Sequence, residues 1–500
     1  MHQLAGLDAT FLYNETARSP QHIASIQVIE LPEGTSPTRF IADFKALLIK
    51  RAHLVPYFTN RLQWLPLGLD HPVWVRDDAF DIDRHVRHVE VASPGGRREF
   101  EQTIAELHAR PLDLKRPLWE ICVLTGLAGG RIAYYHRVHH ACLDGAAGQL
   151  AIQAIMDDTP QTREVPPAPA GFWRRPSSYG PLSLLTRAVE HCVDYQIRQA
   201  TRLLDHVDTG RRMFQRSIAP HEGLGAMAET APPTRFNRLV DNARSYATAE
   251  LPLADVKRLG KATGTSLNDV FMAVCGGALR RYLARHGELP ADPLIAGCPV
   301  SLRRPGDTST NNQVTMMLVS LASNEADPVK RLLEVAKSAR QGKGCVADLA
   351  ASYDSDVAMP GLPMLLQAGA RLLEAGSGGD AVPTRLPCNV VISNVPGPRQ
   401  QLYSLGARVL THYPVSIAAH TQAVNITVQS YRDELFVGIT ACARALPDAD
   451  LLRDDLLAAF LELKSSLLPA SEAATARPAA PALPVVAEVE APAARHSEAA

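Results

Sequence analysis

The chain has 500 residues, of which 46% are hydrophobic and 21% are charged, a composition typical of folded globular proteins rather than disordered ones. Its 51 Lys and Arg residues are balanced by 52 Asp and Glu residues, so it lacks the basic surplus that nucleic-acid binding needs. The length predicts about two to four domains.

The eight cysteines are widely spaced and form no CxxC pair, and most lie in apolar runs. This pattern predicts buried free thiols in a reducing cytosol. The first residues show no basic segment followed by an apolar one, and no apolar run reaches about 18 residues. We therefore expect a cytoplasmic protein with neither a signal peptide nor a transmembrane span.

Strands and helices are mixed in the first third of the chain. A partly alternating apolar run predicts a strand at 22–30, and helical spacing follows at 38–54. A second alternating run lies at 82–91 and a helical one at 99–108. A glycine-rich turn at 126–130 then joins two apolar runs, which predicts a β-hairpin.

The heptad 139–145, with the sequence HHACLDG, follows the second hairpin strand and precedes an alanine-rich helix. A loop at such a junction can hold a reactive side chain on a rigid scaffold. Successive strand residues point to opposite faces, so one histidine can face a cavity while the other packs. This leaves Asp144 two interpretations, a part of a reactive site or an N-cap of the following helix.

Other site chemistries find little support. A metal site built from His136, His139 and His140 would lack HExxH or Cys/His spacing, so we expect no metal. The G-x-S-x-G elbow, the P-loop and a G-x-G-x-x-G after a strand are also absent from the sequence.

We divide the chain into a first domain (1–163), a Pro-rich linker with a long amphipathic helix at 182–211 (164–232), a second domain (233–468) and a disordered Ala/Pro-rich tail (469–500). In the second domain, a helix is predicted at 266–286 with Ser266 as its N-cap. Strands and helices are mixed in both halves without strict alternation, which predicts α/β or α+β layers in two domains.

HHxxxDG is the signature of the acyl-CoA-dependent acyltransferase superfamily, which includes chloramphenicol acetyltransferase. More narrowly, the chain resembles the bacterial wax ester synthase/diacylglycerol acyltransferase family. Six further segments carry this resemblance, in order along the chain: LDATFL (7–12), RPLWE (116–120), NDV (268–270), PVSLR (299–303), NQV (312–314) and SNVPGP (393–398).

The resemblance implies two chloramphenicol-acetyltransferase-like domains, each a mixed sheet flanked by helices, with an active-site tunnel between them. It implies transfer of a fatty acyl group from long-chain acyl-CoA to diacylglycerol or a fatty alcohol, with no cofactor beyond acyl-CoA as co-substrate. It also implies peripheral docking on the inner membrane or on lipid inclusions. The amphipathic helices at 182–211 and 360–375 are candidates for that docking, although packing against their own domain is the favoured interpretation for each.

By resemblance, His140 is the general base that takes the acceptor's proton. Asp144 shapes the loop, and we suggest Arg303 as its partner, although a surface position for this arginine is as good an interpretation. His139 and Gly145 support the loop.

Asn268, next to Asp269, resembles the family's second-domain motif. It could donate to a developing oxyanion or simply cap a helix. Ser393 and Asn394 belong to a turn expected at the cavity. A third segment, Pro117-Leu118-Trp119, could line an acyl channel, although core packing is the alternative for the indole.

Three alternatives stay open. Cys142 could form an acyl-enzyme, although no partner that would activate its sulfur is evident. The acceptor could be a non-lipid hydroxyl or amine. The chain could also be a non-catalytic lipid-binding protein on the same scaffold.

Overall fold

The computed structural model describes residues 2–142, 145–174, 178–219, 223–303, 312–350, 352–354, 356, 362–375 and 386–468. Asp144 and the predicted tail lie outside the described residues.

The strands of the described chain fall in both halves. They are β1 (His2–Gln3), β2 (His22–Glu30), β3 (Asn60–Gln63), β4 (Val73–Arg76), β5 (Val86–Glu90), β6 (Trp119–Leu127), β7 (Arg131–His139), β8 (Arg244–Pro252), β9 (Ile295–Ser301), β10 (Val314–Ser320), β11 (Val390–Val395), β12 (Tyr403–Ser404), β13 (Ala407–Val409), β14 (Tyr413–Val415), β15 (Val424–Tyr431) and β16 (Glu434–Cys442).

The helices lie between these strands. They are α1 (Gly6–Asn14), α2 (Pro37–Arg51), α3 (Pro56–Thr59), α4 (Arg97–His108), α5 (Gly145–Ile155), α6 (Pro181–Thr201), α7 (Leu203–Ile218), α8 (Leu253–Thr263), α9 (Leu267–Arg285), α10 (Pro328–Leu349), α11 (Leu362–Ala375) and α12 (Ala449–Leu467).

A seven-stranded sheet organises the N-terminal half, in the order β12-β13-β2-β7-β6-β5, with β14 also paired to β2. Strand β5 runs parallel to β6, whereas β7 is antiparallel to both of its neighbours. Strand β7 is buried along almost its whole length, because it lies in the middle of the sheet. The heptad thus begins at the end of a central, buried strand.

A six-stranded sheet organises the C-terminal half, in the order β10-β9-β11-β15-β16-β8. Strand β11 runs parallel to both β9 and β15, and the other pairs are antiparallel. Each sheet has its own large apolar core with helices packed on it. The prediction of a mixed α/β fold with two sheet-containing domains is confirmed.

One part of the C-terminal half belongs to the N-terminal sheet. Strands β13 and β14 both pair with β2, with Val409 opposite Ile29 and Tyr413 opposite Ile26. The division into domains at 1–163 and 233–468 stays a prediction, and residues 403–415, which it assigns to the second domain, pair with the sheet of the first.

Local predictions at two elements match the structure closely. Strand β2 occupies the alternating run predicted at 22–30. Helix α9 has Ser266 as its N-cap, and Asp269 completes a capping box: the Ser266 hydroxyl and backbone N–H both donate to the Asp269 carboxylate (2.7 and 2.9 Å). Both signals are local, since each depends on residues within a few positions of one another.

The predicted amphipathic helix at 182–211 is two helices, α6 and α7, separated at Arg202. The prediction of a single helix was wrong because Arg202 leaves helical geometry (φ −92°, ψ 5°) although the apolar periodicity continues across it. Such a break changes the direction of the chain without changing its hydrophobic pattern.

Helices α6 and α7 contact the protein mainly through polar and charged side chains, and near the start of α6 also through the buried Leu184 and Ala188. On α6, His191 contacts Asp70 and Asp356 (2.8 and 3.0 Å), and Arg198 contacts Asp356 (3.0 Å). On α7, Arg216 contacts Asp348 (2.7 Å). Charged contacts, rather than an extensive apolar seam, therefore attach much of this linker to the body.

The opposite face of the same helices is apolar and exposed. We call this surface the apolar stripe, and its members are Leu182, Leu185, Val189, Val193, Ile197, Leu203, Leu204, Val207, Phe214 and Ile218. On α6 the members recur every three or four residues, so they lie along one side of the helix. The sequence analysis favoured packing against the protein for this helix, and the structure places its apolar side outward.

Helices α6 and α11 both contact one turn. The turn at Pro66–Gly68 contacts α6, and the Met364 side chain of α11 lies beside Gly68. Met364, Leu365 and Leu372 are exposed as well.

Within the described residues, no helix combines the length and the apolar character that crossing a bilayer requires.

Candidate active site

The heptad is held by the strands on both sides of β7. Residues His140–Cys142 form a short 3-10 turn, and α5 begins at Gly145, as predicted for a strand-to-helix junction. The His139 N–H donates to the carbonyl of Leu118 (2.9 Å), and the His140 N–H donates to the carbonyl of Gln21 (2.8 Å). The backbone of both histidines is therefore fixed by neighbouring segments of the sheet.

His139 is fully buried, and both of its ring nitrogens are in use. Its Nδ1 accepts the Ala141 N–H (3.1 Å), so the ring proton sits on Nε2, which donates to the Glu15 carboxylate (3.1 Å). Glu15 also accepts the Gln21 N–H (2.9 Å). This arrangement fits a loop-supporting residue, and no nitrogen remains for a proton from substrate or for a metal.

No group of three or more His, Cys, Asp or Glu side chains suited to a metal ion occurs among the residues that the structure describes.

His140 differs from His139 in its hydrogen bonding. Its ring is largely buried, but within the described residues its two nitrogens are not both engaged in hydrogen bonds. The imidazole stacks on Phe11, with ring centroids 3.9 Å apart and planes 15° apart. Its Nδ1 is buried and has no hydrogen-bond partner in the described part of the chain, which leaves Nε2 as the nitrogen that could meet a substrate. Burial lowers the pKa of His140 to about 4, with a smaller opposing effect of its own backbone carbonyl. The ring is therefore neutral at pH 7.

Asp8 and Asn312 meet at the backbone of His140. The Asn312 side-chain amide donates to Asp8 Oδ1 (2.6 Å) and to the His140 carbonyl (3.2 Å), and its backbone N–H also donates to Asp8 Oδ1 (3.0 Å). Burial raises the pKa of Asp8 to about 6, and the two hydrogen bonds from Asn312 oppose that shift.

Sequence analysis did not single out Asp8, Phe11, Glu15 or Asn312 as site residues. Three of them lie in the segments that carry the family resemblance, at 7–12 and 312–314. The resemblance therefore pointed to these segments but did not indicate what the individual residues do. Nothing in the sequence distinguishes Glu15.

Cys142 lies in the same turn but in an unreactive setting. Burial, followed by the nearby charge of Asp8, raises the pKa of this thiol well above its usual range. A thiol acts as a nucleophile in its thiolate form, so this environment opposes an acyl-cysteine.

The structure brings Asn268 and Asn394 together. The Asn394 amide donates to Asn268 Oδ1, which joins the start of α9 to the end of β11 beside Ser393. Asp269 is occupied by the capping box with Ser266. In the described residues no hydrogen bond links Asn268 or Asn394 to His139 or His140, and their predicted roles stay predictions.

The turn after Asn394 is held close to β15. The Gly397 N–H donates to the Ser430 hydroxyl (3.0 Å), and a Cβ at Gly397 would lie only 1.9 Å from the Ser430 carbonyl oxygen. Only glycine permits this approach, which explains its place in the segment.

The suggested partnership of Arg303 with Asp144 cannot be described, because Asp144 lies outside the described residues. The backbone N–H of Arg303 donates to the Ser301 hydroxyl (3.3 Å), and the residue is partly exposed.

Pro117, Leu118 and Trp119 are all buried, and the Leu118 carbonyl accepts the His139 N–H. The Trp119 indole N–H donates to the Phe58 carbonyl (3.1 Å), and the ring stacks on Phe58 and His85 at centroid distances of 4.5 and 4.6 Å. These contacts favour the core interpretation for Trp119 over the channel wall, because the ring is enclosed on both faces.

Two domain models of one protein family match most of the chain. The wax ester synthase/diacylglycerol acyltransferase catalytic domain matches residues 4–271, and the C-terminal domain of the same family matches residues 310–464. Among the described features, the first match contains the heptad and Asp8, and the second contains Asn312.

Full-length relatives share the resemblance. The Mycobacterium tuberculosis protein Rv1760, whose name proposes diacylglycerol O-acyltransferase activity, is 36% identical over 467 residues, which are 93% of this chain and 90% of the relative. The O-acyltransferase WSD of Acinetobacter baylyi is 32% identical over 453 residues, which are 89% of this chain and 93% of the relative.

Solved structures show the same fold. The wax ester synthase/diacylglycerol acyltransferase of Marinobacter aquaeolei VT8 superimposes with a TM-score of 0.66 at 27% identity, covering 93% of this chain and 99% of that one. A condensation domain of the calcium-dependent antibiotic synthetase gives a TM-score of 0.56 at 15% identity, covering 94% and 97%, and shows the fold alone. The chain belongs to the wax ester synthase/diacylglycerol acyltransferase family.

Proposed function

We propose that the protein transfers a fatty acyl group from long-chain acyl-CoA to the hydroxyl of a lipid alcohol, either diacylglycerol or a long-chain fatty alcohol. The observation that carries this proposal is His140: a neutral imidazole at the end of β7, stacked on Phe11 and contacted by Asn312 from the other half of the chain.

His140 acts as the general base in a direct transfer. An alcohol is too weak an acid to ionise beforehand, so Nε2 takes its proton while the alcohol oxygen forms a bond to the thioester carbon. The tetrahedral intermediate then collapses, the C–S bond breaks, and the imidazolium returns the proton to the CoA sulfur. An imidazolium with a pKa of about 4 is a stronger acid than a thiol, whose pKa is about 8.5, so the second proton transfer is downhill.

No covalent acyl-enzyme and no resident cofactor are needed for this sequence of steps. Acyl-CoA is a co-substrate, and the unreactive setting of Cys142 supports direct transfer. The proposed tunnel between the domains would bring acyl-CoA and the acceptor to His140 from opposite sides.

The test is CoA thiol release from palmitoyl-CoA by the purified full-length chain, with hexadecanol, with dipalmitoylglycerol, or with neither. We expect at least one lipid alcohol to stimulate release, with the matching ester detected by mass spectrometry. A folded protein that neither acceptor stimulates would refute the lipid-acceptor proposal. Stimulation by a water-soluble alcohol or amine instead would support the non-lipid alternative.

The proposed acceptors are insoluble in water, so the enzyme must meet them at a lipid surface. The apolar stripe of α6 and α7 is suited to this contact, because the opposite side of these helices attaches to the body and leaves the stripe exposed. Helix α11, with further exposed apolar residues, packs on α1, and α1 carries the Phe11 that stacks on His140. Helix α1 therefore lies between α11 and the His140 ring.

Replacing Val189 and Val193 with glutamate should weaken binding to vesicles of phosphatidylethanolamine and phosphatidylglycerol. Two exposed valines that enter the lipid contribute up to about 3 kcal/mol, so we expect a loss of about 10- to 100-fold in partitioning, measured by co-sedimentation. The matched control is glutamate at Leu333 and Leu461, which are also exposed but lie on α10 and α12. Equal effects of the two double substitutions would argue against the stripe as the docking surface.

A further inference from the structure

We propose that Asn312 is a positioning residue that fixes the catalytic turn by holding the carbonyl of His140, with Asp8 as its anchor. This inference rests on the proposed role of His140. Asn312 touches the backbone of His140 rather than substrate, so it acts through the histidine.

The side-chain amide of Asn312 has no rotational freedom left. Its Nδ2 contacts Asp8 Oδ1 at 2.6 Å and the His140 carbonyl at 3.2 Å. An amide nitrogen carries two hydrogens in one plane, so one hydrogen serves each acceptor. Rotation of the amide would break at least one of these bonds, and burial of Asn312 removes water as a substitute.

Asp8 is a firm anchor because it sits on helix α1 and receives two donors from the same residue. The Asn312 backbone N–H adds a 3.0 Å bond to the same carboxylate oxygen. A buried carboxylate depends on such donors, since its desolvation is otherwise uncompensated. The raised pKa of Asp8, about 6, is consistent with this burial.

Helix α1 also contacts His140 directly, through Phe11. Phe11 lies three residues after Asp8, on the same face of the helix, and stacks on the His140 ring. The Gln21 carbonyl receives the His140 N–H. Three groups of one residue are thus fixed separately: the ring by Phe11, the amide by Gln21 and the carbonyl by Asn312.

Asn312 is the member of this set that comes from the C-terminal half, 304 positions from Asp8. Its contacts with Asp8 and His140 join the two halves at the reaction centre. The position of the base relative to substrates bound between the halves therefore depends on this contact, and general-base catalysis is sensitive to displacements of about 1 Å.

The first test is Asn312→Ala in the full-length enzyme. We expect kcat to fall about 10- to 100-fold while KM for palmitoyl-CoA stays within about two-fold, because the interaction acts on the base and not on substrate binding. A kcat equal to that of the parent enzyme, or a change in KM without a change in kcat, would overturn the proposal.

The second test exchanges the pair: Asp8→Asn together with Asn312→Asp. The exchanged side chains can still bond to each other, but the carboxylate at position 312 cannot donate to the His140 carbonyl. We expect the melting temperature to recover relative to Asn312→Asp alone while kcat stays low. Recovery of kcat together with stability would show that only the pairing matters.

Asn389→Ala is the matched control. Asn389 is also fully buried, and its amide donates to the Pro232 carbonyl and the Asn237 side chain (2.6 and 2.9 Å), within the C-terminal half. It should lower the melting temperature without lowering kcat per folded molecule.

A readout independent of activity separates this proposal from the proposed function. Carbethoxylation of His140 by diethylpyrocarbonate, followed by peptide mass spectrometry, should be several-fold faster in Asn312→Ala and unchanged in Asn389→Ala. An unchanged rate in Asn312→Ala would count against positioning even if the chain proves inactive on lipid alcohols. Inactivity of the parent with an altered labelling rate would count against the proposed function alone.

Discussion

His140→Ala is expected to lower kcat for lipid-alcohol acylation by about 10²- to 10⁴-fold, the contribution typical of a positioned general base. The ring is neutral at pH 7 and its stacking on Phe11 orients it, so its removal takes away the proposed proton acceptor without removing a substrate anchor. Initial rates of CoA release, with ester formation measured in parallel, give the comparison at equal folded concentration.

Cys142→Ala is the matched control in the same turn. Because the thiol is buried and protonated, we expect this variant to keep kcat within a few-fold of the parent after correction for stability. The opposite pattern, with activity lost at Cys142 and retained at His140, would replace direct transfer by an acyl-cysteine.

Arg51→Ala is expected to cost about 3–5 kcal/mol in free energy of unfolding, because it leaves a buried carboxylate without its closest cation. The Arg51 and Asp157 side chains are 0% and 2% exposed, and their charged groups are 2.8 Å apart. Arg51 also donates to the Arg163 carbonyl (2.8 Å), so this pair ties α2 to the segment that follows α5. Urea unfolding of the parent and the variant measures the difference.

An exposed pair on the same helix supplies the control. Arg39 and Asp43 are 82% and 60% exposed and 3.8 Å apart, so Arg39→Ala should change the free energy of unfolding by less than about 1 kcal/mol. Replacing the buried pair together, by Arg51→Met and Asp157→Leu, should cost less than Arg51→Ala alone, since no unpaired charge remains. Similar costs for Arg51→Ala and Arg39→Ala would contradict the expectation.

Much of the local structure could be predicted from sequence because its causes are local. Alternating apolar residues predicted β2, and Ser266 as an N-cap predicted the start of α9. The heptad was correctly placed between a strand and a helix, because the strand pattern ends where the helical pattern begins.

The continuation of a pattern does not establish the continuation of an element. Apolar spacing runs through Arg202, and the helix nevertheless ends there, because backbone angles at one residue leave no trace in hydrophobic periodicity.

The support of the active site could not be predicted for a different reason. Asp8 and Asn312 are 304 positions apart, and nothing in either segment names the other as its partner. Glu15, whose carboxylate accepts the hydrogen bond from His139 Nε2, lies outside every segment that carries the family resemblance. One sequence can identify which residue types suit a reaction, whereas the residues that hold them in place are determined by tertiary packing.

The pairing of β13 and β14 with β2 has a consequence for the newly made chain. Glu30 and its partner Arg408 are 378 positions apart, so during translation one edge of β2 stays without its final neighbours until nearly the whole protein has left the ribosome. An open strand edge beside the apolar Ile26 and Val28 is a template for aggregation. The N-terminal sheet therefore cannot be completed until residues 407–415 have been made, and a chain that ends before residue 407 leaves this sheet unfinished.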